Sequence, residues 1–173
     1  MKVFGIIGWS GSGKTTLMVK LLPELIGRGF TVSTMKHTHH RFDLDRKGKD
    51  SFKHRQAGAS EVLLSSSSRW ALMHELRGAA EPDMDELIKH MAPVDLLLIE
   101  GFKDHQYQKL EVSREATGKP LRCTEDEDVV AVACDSLLEG LHIPVFDLNE
   151  TAAIADFIIE RCGLEKGRSH GSA

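Results

Sequence analysis

The chain has no excess of positive charge. Lys and Arg number 22 against 26 Asp and Glu, a formal net charge of −4 at pH 7, so the balance lacks the electrostatic footprint of a DNA- or RNA-binding protein. No apolar run reaches the length of a membrane span. Met1-Lys2-Val3 leads directly into a strand-like run, the expectation for a chain without a signal peptide. Cysteine is scarce and odd in number: Cys123, Cys134 and Cys162 form no CxxC pair, which fits a reduced cytosol. No internal repeat and no second domain is visible. What remains, 41% hydrophobic and 28% charged residues over 173 positions, is ordinary for a soluble globular protein with a substantial core.

Against that background one stretch stands out, Gly8-Trp9-Ser10-Gly11-Ser12-Gly13-Lys14-Thr15, followed by Thr16. It satisfies the phosphate-loop pattern GxxxxGK[ST]. An apolar run, Val3–Ile7, precedes it, and a helical pattern with apolar residues at 17, 18, 21, 22 and 25 follows. Strand, glycine loop and helix are the context this motif requires. Gly11 and Gly13 let the backbone turn with φ > 0 and present N–H groups to phosphates. The helix N-terminus adds unpaired N–H groups and the positive end of its dipole. Lys14 is expected to reach the β- and γ-phosphates, Thr15 to ligate Mg²⁺, and Thr16 to face the α-phosphate.

The rest of the chain alternates strands and helices. Strands are expected at Phe30–Met35, Asp95–Glu100, Lys109–Arg114, Val129–Cys134 and Pro144–Leu148. Helices are expected from Asp50-Ser51 to Gly58, from Glu81-Pro82-Asp83 to Met91, and over Thr151–Arg161. Glu61–Ser66 and Arg69–Glu75 flank a serine-rich turn and read as a hairpin. The tail from Gly167 has nothing to pack and is expected to be disordered. The predicted fold is α/β: a P-loop NTPase with a mostly parallel twisted sheet, helices on both faces and an inserted β-hairpin, in a single nucleotide-binding domain over 1–166. Ligands bind at the carboxyl ends of such strands, where Gly8, Lys36, Glu100 and Asp135 fall.

Several residues there suit nucleotide chemistry. Glu100, ending the run Leu96–Ile99, resembles a Walker B acid that binds Mg²⁺ or polarises a water. The polar segment 36–50 carries Lys36, His37, His39, His40, Asp43 and Asp45. It reads either as a loop over the phosphates, with Lys36 or His37 on phosphate and Asp43 or Asp45 on Mg²⁺, or as a histidine metal site without cysteine, or as a solvated loop. Lys103 faces the site, a second substrate, or solvent. Arg55 contacts an anion or complements its helix dipole. Asp135, ending Val129–Cys134, places a carboxylate where guanine N1–H and N2–H₂ could donate to it.

Four segments together resemble the MobB-type accessory proteins of molybdopterin guanine dinucleotide biosynthesis, over roughly Val3 to Arg161. They are the phosphate loop with its Trp9-Ser10 pair; Lys36-His37-Thr38-His39-His40 with Asp43, Asp45, Gly48–Ser51 and Arg55–Ala59; Arg69–Met73; and Glu100-Gly101-Phe102-Lys103. The resemblance implies a homodimeric GTP-binding protein with weak hydrolysis. It implies association with the nucleotidyltransferase that joins GMP to molybdopterin and a guanine-contacting role for Asp135, and leaves open whether molybdopterin itself binds this chain. Arg46-Lys47 and Arg41 depart from the family pattern and alter the charge and flexibility of the switch-like loop. Two other readings are a small-molecule kinase with Asp43 or Asp45 as general base, and a metal-delivery GTPase using His37, His39 and His40.

Overall fold

A computed structural model describes residues 1–38 and 42–165. The expectations for His39, His40, Arg41 and the tail lie outside them. The chain divides into two compact units, one comprising 1–37 and 91–173 and the other 38–90.

The larger unit is built on strands β1 (Lys2–Ile7), β2 (Val32–Lys36), β5 (Leu96–Glu100), β6 (Lys109–Val112), β7 (Val129–Cys134) and β8 (Val145–Asp147). They form one sheet in the order β2-β5-β1-β6-β7-β8, parallel throughout. Its inner strand β5 opens on an unbroken apolar run because both faces are buried there: Leu96, Leu97, Leu98 and Ile99 are all 0% exposed. Helices α1 (Lys14–Gly27) and α4 (Thr151–Cys162) set Leu17, Leu21 and Leu25 with Ile154 and Ile158 against Phe4, Ile6, Leu96, Leu98, Leu110, Val112, Ala131 and Ala133. Gly163, with φ 58, ends α4 in the left-handed conformation.

Strand periodicity then decides which polar residues share the α1 side of the sheet. Side chains alternate faces. The series Leu96-Leu98 therefore continues to Glu100, Leu110-Val112 to Arg114, and Ala131-Ala133 to Asp135. The pairing registers bring Lys36 opposite Glu100, and Glu100 opposite Ile6. Polar groups thus gather where the apolar series run out, beside the start of α1.

The smaller unit contains α2 (Asp50–Gln56), the antiparallel strands β3 (Glu61–Ser65) and β4 (Trp70–His74), and α3 (Met84–Lys89). The hairpin closes over residues 66–69, where Ser66 pairs with Arg69 through N–H to carbonyl at 2.9 Å, and the Ser66 hydroxyl oxygen accepts from the N–H of Ser68 and of Arg69. Val62 and Met73 are buried, while Leu63, Trp70 and Leu72 are exposed and share the opposite face of the ribbon. Asp83 caps α3, its carboxylate accepting from the N–H of Glu86 at 2.8 Å.

Candidate functional site

The phosphate-loop segment runs from the end of β1 into α1 and is held from behind. Gly8, at φ 141, passes so close to β6 that a Cβ there would lie 2.2 Å from the carbonyl oxygen of Val112; no other residue fits this turn. Gly11 and Gly13 also take positive φ, 81° and 98°. Ser12 is 1% exposed and its hydroxyl oxygen has no hydrogen-bond partner among the described residues, whereas Ser10, Thr15 and Thr16 are exposed. The Lys14 ammonium curls over the loop and donates to the carbonyls of Gly8 at 2.9 Å and Trp9 at 2.8 Å. Burial lowers its pKa first; Glu100 opposes that shift, and Lys36 and Arg122 add to it. A partly desolvated ammonium among other cations is one that an anion would stabilise.

Beside the loop, the Thr15 hydroxyl donates to Glu100 Oε1 at 2.9 Å, and the Lys36 ammonium lies 3.0 Å from the same oxygen and 3.4 Å from Thr15 Oγ1. A hydroxyl and a carboxylate oxygen facing one cation form the hard-oxygen donor set that Mg²⁺ prefers. His37 follows immediately. Its N–H donates to the Glu100 carbonyl at 3.0 Å, and its ring stacks on Phe102 at 4.5 Å. The turn Gly101-Phe102 (φ 99 and 49) is strained at Phe102 and is held by the Tyr107 hydroxyl, 2.6 Å from the Gly101 carbonyl and 2.9 Å from that of Phe102. Burial raises the Tyr107 pKa, so this hydroxyl stays a donor.

Lys103 contributes its backbone here. Its carbonyl accepts from Lys109 Nζ at 2.8 Å, and that ammonium, 1% exposed as a residue, is paired with Asp126 at 2.7 Å. Lys103 lines a polar cavity of about 630 Å³ together with Asp104, Lys109, Arg122 and Asp126. Asp135 sits at the end of β7 with Oδ1 accepting the Glu115 N–H at 3.0 Å.

Asp45 belongs to the other unit. Its side chain is 1% exposed and takes Arg55 through both oxygens, at 2.7 and 3.2 Å, while Asp43 lies 2.8 Å and Glu75 3.5 Å from the same guanidinium. Arg55 therefore closes a carboxylate cluster within its own unit. Carboxylates so engaged are poorly placed to act as general bases. Among the described residues no group of three or more His, Cys, Asp and Glu is arranged to hold a metal ion; His39 and His40 lie outside them.

Residue-by-residue reading of the sequence did not single out Arg114, Glu111 or Arg122. Arg114 Nε donates to the Ser12 carbonyl at 3.1 Å and Nη1 lies 3.4 Å from Asp135 Oδ2. Glu111, 0% exposed in mid-strand, accepts from the N–H of Arg122 and of Cys123 at 2.9 and 3.0 Å. That anchors a turn from which the Arg122 guanidinium covers the Trp9 ring at 4.4 Å, while the Trp9 indole donates to the Pro120 carbonyl at 2.8 Å. The available signal was a carboxylate inside an apolar strand and a basic residue at a strand's carboxyl end.

Comparison with known proteins adds a family. Residues 3–135 match the family model described as MobB, molybdopterin guanine dinucleotide synthesis protein B. The molybdopterin-guanine dinucleotide biosynthesis adapter protein of Escherichia coli (strain K12) is 42% identical over 162 residues, covering 92% of each chain. That of Haemophilus influenzae is 43% identical over 156 residues, covering 90% of this chain and 86% of the other. Among solved structures, a molybdopterin-guanine biosynthesis protein B superposes with a TM-score of 0.73 at 27% identity, covering 92% of this chain and 99% of its own. Bacillus subtilis MobB, at 23% identity and a TM-score of 0.74, shares the fold.

Proposed function

Because the chain belongs to the MobB family of molybdopterin guanine dinucleotide synthesis proteins, we propose that it is a GTP-binding adapter in that pathway, assisting the nucleotidyltransferase that joins GMP to molybdopterin. The observation that carries this reading is the meeting of Thr15, Glu100 and Lys36 beside a complete phosphate loop. The loop N–H groups and Lys14 take the β- and γ-phosphates, with Ser10, Gly11, Ser12, Gly13 and Thr16 completing the cradle. Thr15 and Glu100 would hold Mg²⁺; Asp45, also expected as a ligand, is engaged by Arg55 in its own unit. Mg²⁺ held there would supply charge neutralisation for the phosphates. Lys36, His37 and Lys103 border the nucleotide, and Asp135 accepts from guanine. The roles of Lys14 and Glu100 are electrostatic. Glu100 is engaged by Thr15 and Lys36, which disfavours rapid water activation and supports weak hydrolysis.

The second function is association, in the cytoplasm. The exposed face Leu63, Trp70 and Leu72 supports homodimerisation through the hairpin. Equilibrium binding of GTP and ATP with Mg²⁺, followed by co-purification with the nucleotidyltransferase and light scattering, tests the whole reading. GTP preference with complex formation is expected. ATP preference without such a complex would overturn it, and a monomer in light scattering would remove the dimer. Molybdopterin binding by this chain is tested in the same titration format.

A further inference from the structure

We propose that Arg114 is a positioning residue that ties the Asp135 carboxylate to the phosphate loop and so sets the preference for guanine. The inference rests on Asp135 as the base contact and assigns what holds it there.

The geometry follows from strand register. Leu110, Glu111 and Val112 of β6 pair with Ala131, Val132 and Ala133 of β7, and the Ser113 N–H continues the ladder to the Ala133 carbonyl at 2.9 Å. Two residues further along each strand, the same alternation sets Arg114 beside Asp135, on the side where α1 begins. Arg114 then divides its donors. Nε meets the Ser12 carbonyl at 3.1 Å and Nη1 meets Asp135 Oδ2 at 3.4 Å. The guanidinium lies against Gly13 so closely that a Cβ there would be 3.1 Å from Nε and 3.3 Å from Nη2. Gly13 thus serves two purposes, its positive φ and the space for Arg114.

Both contacts bear on ligand recognition. The Ser12 carbonyl and the Gly13 N–H belong to one planar trans peptide and point in opposite directions. A donor behind the loop on the carbonyl therefore helps fix the direction of the N–H in front of it. Asp135 must present two oxygens to N1–H and N2–H₂ of guanine. One is steadied by the Glu115 N–H at 3.0 Å and the other by Arg114. Without Arg114 the carboxylate, at a strand end and partly exposed, would lose its link to the loop that holds the phosphates. Arg suits this bridge because its planar fork reaches two acceptors in fixed directions, which an ammonium does not.

The test is equilibrium binding of GTP, ITP and ATP, each with Mg²⁺, to the full chain and its D135A, R114M, R114K and D135A/R114M variants. ITP lacks the 2-amino group, so the GTP-to-ITP ratio reads the carboxylate directly. R114M should weaken GTP by about tenfold, the size of one charge-assisted hydrogen bond, with a smaller effect on ATP, so that both preferences shrink. R114K should recover part of them. The double variant should discriminate no worse than D135A alone, because the two residues act as one unit. If D135A keeps the wild-type ratios, the base-contact reading fails and the proposal with it. If D135A loses them while R114M keeps them, only the proposal fails. Equal weakening of all three nucleotides would make Arg114 a support for the loop or a phosphate ligand and would also overturn it. Should R114M not fold, R114K carries the same decision, since wild-type ratios in that variant would show that no fork is needed.

Discussion

At the carboxyl edge of the sheet, one carboxylate, Glu100, faces a hydroxyl and an ammonium; in the other unit, one guanidinium, Arg55, faces three carboxylates. The residue types are alike and the outcomes are opposite. Glu100 ends an apolar strand with its own side chain 11% exposed, but its partner Lys36 is 58% exposed and Thr15 is exposed as well, so that cluster opens through its ammonium and its hydroxyl. Arg55 is 14% exposed and gives its donors to Asp45, Asp43 and Glu75. The first cluster has capacity for an anion and a divalent cation together. The second satisfies itself and ties the segment before α2 to α2 and to the residue after β4. Charge density alone does not identify a site.

The largest expected effect tests the open cluster. Lys14→Ala removes the ammonium that the loop carbonyls hold in place, and GTP affinity should fall by about a hundredfold or more. Unchanged affinity in a GTP titration would remove the phosphate-loop assignment. Next, Glu100→Gln keeps the shape and discards the charge. The gain in GTP affinity on adding Mg²⁺ should shrink by about tenfold, read by titrations with Mg²⁺ and with a chelator. An unaltered metal dependence would mean that Glu100 is only a structural partner of Thr15 and Lys36.

Arg55→Met probes the closed cluster, and here the readouts should exchange. Three carboxylates left facing one another, one of them with a buried side chain, should lower the melting temperature, while GTP affinity per folded molecule stays within about twofold of wild type. If Arg55→Met cost as much nucleotide affinity as Glu100→Gln, the contrast between the clusters would collapse, and Asp43 and Asp45 would return as participants in the chemistry.

How far these clusters were legible in the sequence depended on the distance between partners. The phosphate loop is eight consecutive residues whose chemistry is local, and Glu100 announces itself by ending a four-residue apolar run. The hairpin was readable from its serine turn. Arg55 is legible as an anion contact or a dipole complement, but nothing local marks Asp45 and Asp43, ten and twelve residues upstream, as its partners. Arg114 was invisible as a partner of Ser12, 102 residues away. That contact exists only because β6 lies next to β1 and β7, a strand order that hydrophobic patterning alone does not specify. Glu111 was hidden for a related reason, since a carboxylate in mid-strand makes sense only once the turn it anchors has folded back.

The smallest effect sharpens the comparison most, because it sets two lysines of similar exposure against each other. Lys53 pairs with Asp50 at 3.2 Å across one turn of α2, and the two side chains are 66% and 87% exposed. Lys36 pairs with Glu100 at 3.0 Å, but its partner is 11% exposed and shared with Thr15. In water-screened pairs of the first kind the attraction nearly cancels the cost of ordering two long side chains. Lys53→Gln should therefore shift stability by no more than about 0.5 kcal/mol and leave GTP affinity unchanged. Lys36→Gln deprives a mostly buried carboxylate of the ammonium that lies 3.0 Å from it. Its effect should appear in the salt dependence of GTP binding, which loses one cation near the phosphates. Thermal melts and GTP titrations at two ionic strengths separate the cases. Identical behaviour of the two variants would place Lys36 among ordinary surface pairs and leave Thr15 and Glu100 to hold the edge alone.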